Sequence, residues 1–407
     1  MKLHKERIRG EDLLPKKKAY DTVLPAAAVF ISVMVLLLLF GITMLYSTSF
    51  GTDGTTYLYK QFQWAVVGLL GFSGAIYFGY KRISDWSIWL MLVIAVLLLI
   101  ADMSPAVKGA HRWIKIPKIG NIQPSEYAKL IIALFLAKFL SERARFMDSF
   151  PFRKVMWPCL FCCAVPIGLV LAGKDLGTTV LLTLIVVSAL YIVGINFKWF
   201  ALAGAILVPA GFFYIKYFDS MRWGRMTIFM DPEAHAAGSG YQLYNSLLAL
   251  GSGNWFGIGF TESRMKMSYL PEAHTDFILS IVGEELGYFF LILVMVGYLA
   301  YMYSAIAIAQ NARTRQGMIL AFCIGIFIGA QALINMGVIC GAFPTKGMPA
   351  PFISYGGSSL VTCLTASGFV LSVALDTVFP DYTDRIHAWH RLKWKKFKEL
   401  FRWKSSS

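Results

Sequence analysis

Residues 22–52, 61–80, 86–101, 155–173, 176–197, 199–215, 286–312, 316–345 and 347–375 contain no Asp, Glu, Lys or Arg. A helix crossing the hydrocarbon core of a bilayer needs about 20 residues at 1.5 Å each, and most of these runs have that length. The shortest reach across by borrowing their flanks. A tenth span is expected around Tyr127–Leu140, where Lys129 and Lys138 interrupt an otherwise apolar stretch. The predicted fold class is therefore an all-α polytopic membrane protein with ten transmembrane helices. Runs this long lack the short alternation of an outer-membrane barrel. An ordinary soluble domain is excluded too, since only 15% of residues are charged, against about a quarter in soluble chains.

Ten spans put both termini on one side. The N-terminus (Lys2, Lys5, Arg7, Arg9, Lys16, Lys17, Lys18) and the C-terminus (Arg385, Arg391, Lys393, Lys395, Lys396, Lys398, Arg402, Lys404) are basic, so both are expected in the cytoplasm. The loops agree, with Lys81, Arg82, Arg143, Arg145, Arg153, Lys154, Lys198, Arg313 and Arg315 on that side. The predicted layout is a basic segment 1–21, a membrane domain 22–376 and a basic tail 377–407. The first span is too long for a signal-peptide core and reads as a retained anchor. The tail from Asp381 reads equally as a helix lying on anionic lipid or as a disordered basic segment. The net charge of +15 flanks membrane spans, so nucleic acid is not an expected partner and membrane lipid is. Six cysteines show no disulfide or zinc spacing and read as packing residues.

Two outer loops stand out. The 102–125 loop carries Lys108, Arg112, Lys115 and Lys118 against Asp102 alone, on the face that should be poor in cations. It reads either as tolerated charge near headgroups or as an electropositive mouth for an anionic substrate such as a lipid-linked phosphate. The second loop, about 216–276, is the one long extracytoplasmic segment and precedes the eighth span. It contains Arg222-Trp223-Gly224-Arg225 and a glycine-rich run at 251–259 without a phosphate-loop lysine. It ends in Leu270-Pro271-Glu272-Ala273-His274-Thr275-Asp276-Phe277. Glu272, His274 and Asp276 could suit a divalent cation, while Thr275 or Asp276 could simply cap the next helix.

Ionisable residues inside the membrane are costly and usually mark a pathway or an internal pair. Glu126 and Lys129, three apart, can face each other on one helix. On a regular helix Glu284 and Glu285 would lie about 12–13 Å below Asp276 and on different faces, so the three could not share one site. They read as pathway residues or as buried locks between helices. The segment Phe343-Pro344-Thr345-Lys346-Gly347-Met348-Pro349-Ala350-Pro351 should enter the tenth span irregularly, and irregular backbone at that depth lines a cavity or is buried in protein. Gly356, Gly357, Ser358 and Ser359 after it could serve close helix packing.

Three separated segments together resemble the SEDS family (shape, elongation, division and sporulation proteins). They are Pro271–Phe277 continuing into Gly283-Glu284-Glu285-Leu286-Gly287; Pro344-Thr345-Lys346-Gly347 followed by Pro351-Phe352-Ile353-Ser354-Tyr355-Gly356-Gly357-Ser358-Ser359-Leu360; and Lys108-Gly109-Ala110-His111-Arg112-Trp113-Ile114 leading to Ile122-Gln123-Pro124-Ser125-Glu126 and Lys129. The resemblance covers roughly residues 20–375. Glu272-Ala273-His274 and Thr345-Lys346-Gly347 resemble the division branch more than the elongation branch. One departure is Lys174 before Asp175, where many relatives have proline, which leaves the role of Asp175 open.

The resemblance implies a SEDS-type bundle and a peptidoglycan glycosyltransferase that polymerises lipid II, the disaccharide-pentapeptide on undecaprenyl pyrophosphate, into β-1,4 glycan at the outer face of the cytoplasmic membrane, at the division septum. It implies Asp276 as general base. Lys129, Lys346, Arg112 and Arg225 would stabilise the departing pyrophosphate, with Glu272, Ser354 and Ser358 also contacting substrate. Glu126, Glu284 and Glu285 would be structural or pathway residues. No cofactor is required by the sequence; a divalent cation, Mg or Mn, is the one candidate. The implied partners are a class B penicillin-binding protein and other membrane proteins of the division machinery. Two rival readings are a lipid II flippase using intramembrane Lys129, Glu284 and Glu285, and a non-catalytic scaffold for a division transpeptidase. No inverted repeat supports the flippase.

Overall fold

A computed structural model describes residues 16–50, 55–105, 111–116, 120–144, 151–238, 240–267, 269–380, 382–384 and 386. Its helices are α1 (Lys16–Phe50), α2 (Thr56–Phe78), α3 (Tyr80–Asp85), α4 (Ser87–Met103), α5 (Pro124–Glu142), α6 (Trp157–Ala172), α7 (Leu176–Ile192) and α8 (Phe197–Phe218). Then follow α9 (Ser220–Met230), α10 (Tyr241–Gly253), α11 (Ile278–Gln310), α12 (Arg315–Ile339) and α13 (Gly357–Val378). Each expected span falls on one of these. Length and composition alone establish six as able to cross a membrane, namely α1, α6 with its lead-in, α8, α11, α12 and α13. The apolar helices α4 and α7 are shorter. The chain is a polytopic helical membrane protein. The expectation of an all-α chain omits one small hairpin, β1 (Ile114–Ile116) paired antiparallel with β2 (Gly120–Ile122).

The core sits around α12 and α13, whose apolar windows are 67% and 83% buried, whereas that of α8 is 0% buried and stands at the periphery. Close packing of α13 on α2 depends on small residues: Gly68 faces Leu364, and Gly368 meets the backbone of Phe72. At the far end of α2, Tyr80 donates to Asp376 at 2.9 Å, Lys81 pairs with Asp376 at 2.8 Å and Arg82 with Asp384 at 2.8 Å. Tyr382 donates to the Ile76 carbonyl at 3.0 Å, so the first residues after α13 pack back onto the bundle. The basic residues Lys2, Lys5, Arg7 and Arg9, Arg385 and the tail beyond 386, and Lys108, Lys118 and Arg145 lie outside the described residues. All six cysteines are free; Cys162 and Cys340 are exposed and the others buried.

The eighth span is not a regular helix. Inside α11, Gly287 has φ 80° and ψ 179°, a region open essentially to glycine alone. The break leaves backbone groups without helical partners, and the segment after α10 supplies them. Ile258 and Gly259 donate to the carbonyls of Glu284 and Glu285 at 3.0 and 3.1 Å, while those of Asn254 and Trp255 accept from Tyr288 and Phe289 at 2.9 and 3.2 Å. Glycine at 257 (φ 78°) lets the two backbones meet: a Cβ there would lie within 2.5 Å of Leu286 N. The glycine-rich run thus completes the hydrogen bonding of a broken span, which is how irregular backbone is tolerated at this depth. Glu284 and Glu285 precede the break, and Asp276 lies in a turn before the helix, so the regular-helix geometry does not relate them.

Candidate active site

Two irregular segments build the site. The first is the turn that carries Glu272, His274 and Asp276. Glu272 adopts φ 61°, and Thr275 Oγ1 donates to its Oε2 at 2.9 Å. The cap reading of Asp276 is corrected, because the N-cap of α11 is Phe277, with no side-chain cap bond. The second segment joins α12 to α13. Its prolines at 344, 349 and 351 remove the donors a helix would need, so the expected irregular entry is present. Ser354 closes a local turn there: its Oγ accepts from Ala350 N at 2.8 Å and its carbonyl accepts from Gln61 Nε2 at 3.1 Å.

The two segments touch. A Cβ at Gly347 would stand 2.7 Å from Asp276 Oδ2, so the carboxylate rests against the residue that follows Lys346. Tyr355 N donates to the His274 carbonyl at 2.9 Å, and the His274 ring stacks on Tyr57 at 4.2 Å. Asn335 of α12 donates to the carbonyls of both Asp276 (2.8 Å) and Met348 (2.7 Å).

Beside this junction lies a cavity of about 430 Å³ whose lining includes Arg112, Lys174, Arg222, Arg225, Lys346 and Met348, and no carboxylate. The cations arrive from four parts of the chain. Lys174 has φ 62° and closes α6: Asp175 N donates to the Val170 carbonyl and Lys174 N to that of Leu171, at 3.1 and 3.0 Å, a Schellman pattern in which glycine usually holds this place. Asp175 accepts from Thr178 N at 3.2 Å to cap α7 and stands 3.8 Å from Arg112; the role left open by the sequence is a cap next to the cation cluster. Arg112 Nη2 donates to the Lys174 carbonyl at 2.9 Å, yet its buried Nε has no hydrogen-bond partner. A buried donor left unpaired is costly and fits an acceptor brought by a ligand. Lys346 passes over Gly177, which has no side chain to block it. Burial lowers Lys346 to about 8, with Asp175 opposing and Arg112, Arg222 and Arg225 adding to the effect. Arg225 is lowered in the same way, by burial and then by Arg112 and Arg222.

Of the residues expected at the site, Arg112, Arg225 and Lys346 therefore converge, with Asp276 and Glu272 at the adjoining turn. Lys129, Glu126 and Ser358 are placed elsewhere, and Ser354 sits in the segment joining α12 to α13 without lining the cavity. Lys129 is 1% exposed and donates to Glu126 and to Gln331 Oε1, each at 2.7 Å. Ser358 Oγ accepts from Gln123 N at 3.0 Å. Glu285 accepts from Lys266 (2.7 Å) and Ser47, and Glu284 from Ser263 and from Arg264 N at 3.1 Å. Sequence reasoning missed Asn335 and Gln331, although two amides in a charge-free span were a usable signal, and it did not assign Lys174 or Arg222 to the site. Among the described residues no group of three His, Cys, Asp or Glu is placed to hold a metal ion.

Residues 27–378 match the FtsW/RodA/SpoVE family, described as cell cycle protein. A protein of Geobacter sp. (strain M18) named "Probable peptidoglycan glycosyltransferase FtsW" is 35% identical over 84% of this chain and 94% of its own length. One of the same name from Trichlorobacter lovleyi is 34% identical over 87% and 93%. Among solved structures, a chain of a peptidoglycan synthase complex in which polymerisation and crosslinking are coordinated matches with TM-score 0.71 at 24% identity, over 86% of this chain and 98% of that one. The rod shape determining protein RodA of Thermus thermophilus matches with TM-score 0.63 at 22% identity, over 86% and 96%. These structures agree in fold, and the family match spans all the helices that build the site. The chain belongs to the FtsW/RodA/SpoVE family of cell cycle proteins, the family its three motifs resemble.

Proposed function

We propose that this protein is a peptidoglycan glycosyltransferase that polymerises lipid II at the outer face of the cytoplasmic membrane, with Asp276 as general base. The observation that carries the reading is a carboxylate standing at the edge of a cavity that five cations line and no carboxylate does. The acceptor sugar hydroxyl attacks the donor's anomeric carbon, the bond from that carbon to the pyrophosphate breaks, and the lipid pyrophosphate leaves with the bonding electrons. Asp276 takes the hydroxyl proton. Lys346, Arg112, Arg225, Arg222 and Lys174 meet the charge that gathers on the leaving group, in a partly enclosed site where preorganised cations act most strongly. Glu272 orients the turn through Thr275. Lacking a three-ligand cage among the described residues, a Mg or Mn ion would need pyrophosphate oxygens for its ligands, as magnesium commonly does.

The synthase-complex structure, in which polymerisation and crosslinking are coordinated, supports a crosslinking partner, which we take to be a class B penicillin-binding protein. The division-branch motifs at 272–274 and 345–347 favour the septum, with other division proteins nearby, and the basic flanks favour cytoplasmic termini. A flippase would need ionisable residues facing a path. Lys129, Glu284 and Glu285 instead bond to neighbouring protein groups, and none lines the cavity. The test is polymerisation of fluorescent lipid II by purified protein in detergent, with and without the penicillin-binding partner. Glycan ladders are expected; flipping alone, which needs two leaflets, would yield none, and neither would a scaffold.

The lowered pKa of Lys346 gives a pH signature. The side chain is charged below about 8 and neutral above it, and only the charged form can hold the pyrophosphate. The polymerisation kcat/KM, which reports the free enzyme, is expected to fall as pH rises through about 8. Lys346→Arg should move that alkaline limb out of the measurable range, because a guanidinium stays protonated. A limb that persists unchanged in Lys346→Arg would assign it to another group.

A further inference from the structure

We infer that Gln331 and Asn335 form a two-rung amide ladder on α12 that sets the position of Asp276 relative to Lys346. The inference rests on the polymerase reading of those two residues. The rungs are four apart and so lie on one helix face, and each is 1% exposed. Each reaches a carbonyl of the proline-rich segment: Asn335 bonds Met348 at 2.7 Å and Gln331 bonds Pro349 at 2.8 Å. That segment has no regular structure to satisfy its carbonyls, and buried carbonyls must be paired.

Each rung also reaches a second element. Asn335 spends both protons of Nδ2 on carbonyls, the second being that of Asp276 at 2.8 Å, while its buried Oδ1 has no partner. The amide cannot turn over to relieve that oxygen, because turning would aim it at two carbonyl oxygens. Gln331 is oriented from the other side: Lys129 donates to its Oε1 at 2.7 Å and is itself paired with Glu126 at 2.7 Å. Its Nε2 therefore faces Pro349 and, at 3.4 Å, Ser359 of α13. The Glu126–Lys129 pair acts through this rung. An ammonium that accepts nothing fixes which end of the glutamine it meets, so the charge inside α5 is read out as the place of the 346–349 segment. Satisfying carbonyls alone would not require one side chain to tie Met348 to Asp276, nor leave an oxygen orphaned to do so.

The ladder makes Asn335, Gln331 and Lys129 positioning residues. Misplacing a catalytic group by about 1 Å can cost on the order of 10²-fold in rate. Asn335→Leu keeps the volume and removes the donors; it is expected to lower kcat by roughly 10–100-fold with KM for lipid II changed little. Asn335→Asp, which cannot serve two carbonyls, should behave alike. The spacing is read directly by electron–electron distance measurement between spin labels at Pro271 and Ala342, exposed residues flanking the two segments, in protein whose native cysteines are replaced. A narrow distribution that broadens or shifts in Asn335→Leu, together with the selective loss of kcat, supports the ladder. An unchanged distribution, or an unchanged kcat in a polymerising protein, overturns it. Equal losses in kcat, lipid II affinity and thermal stability would also overturn it, by reducing Asn335 to a fold residue. If the distribution changes but the parent protein makes no glycan, the ladder stands and the polymerase reading fails.

Discussion

Asp276→Asn should lose glycan polymerisation by about 10²–10⁴-fold, the usual worth of a general base, while folding as the parent does. Asparagine matches the carboxylate in size and cannot take the acceptor's proton. The backbone anchors around Asp276 do not use its side chain. Asn335 holds the Asp276 backbone carbonyl at 2.8 Å, which any side chain leaves in place. Phe277 occupies the N-cap of α11, and an amide of the same size fits where the carboxylate rests against Gly347. Asp276→Glu is the sharper control. It keeps the base and adds a methylene at a place where the side chain already rests against Gly347. A displaced base should cost on the order of 10²-fold even though the chemistry is retained. Both variants are to be compared with the parent by lipid II turnover and by thermal unfolding in detergent. Near-parental turnover by Asp276→Asn would remove Asp276 from the chemistry.

The spans were legible because desolvating charge is so costly that its absence over about 20 residues marks the bilayer. Even α5 could be read through Lys129 and Lys138, and the structure gives both lysines acidic partners, Glu126 and the Asp85–Glu142 pair. The irregular entry to α13 was legible from its prolines. The break in α11 was not. Gly287 sits in an apolar run that reads as continuous helix, and its φ of 80° is stabilised only because residues 254–259, far away in sequence order, arrive to bond the open backbone. The same limit applies at the site. Lys129 and Lys346 look alike in sequence, each a single cation beside a motif. Tertiary packing places one in a buried pair with Glu126 and the other on a cavity wall. The three-residue spacing did pair Lys129 with Glu126; it could not show that this pair is buried against Gln331 while Lys346 stands on a cavity wall.

Lys266→Met should destabilise the protein by about 3–5 kcal/mol, the cost of breaking a buried ion pair from one side. Side-chain exposure is 2% at Lys266 and 0% at Glu285, so water cannot replace the lost partner. Lys266 Nζ bonds Glu285 Oε1 at 2.7 Å, Ser47 Oγ at 3.0 Å and the Thr261 carbonyl at 2.7 Å. Three elements meet there: α1, the first half of α11, and the segment that leads to the Asp276 turn. Without the ammonium, the partners left to Glu285 among the described residues are the Ser47 hydroxyl and a long 3.4 Å contact from Ser263 N, and it stands as an uncompensated charge at membrane depth. The pair itself need not be a net source of stability, since desolvating two ions offsets most of their attraction. The double variant Lys266→Met/Glu285→Gln is therefore expected to recover more than half of the loss, and the coupling is read as a double-mutant cycle from apparent melting temperatures at one heating rate, because membrane proteins often unfold irreversibly. Additive single and double variants would show that the two residues do not act as a pair. Recovery in the double variant with polymerisation restored as well would place the network's contribution in holding the 261–267 segment, and through it the turn that carries Asp276, against α1 and α11.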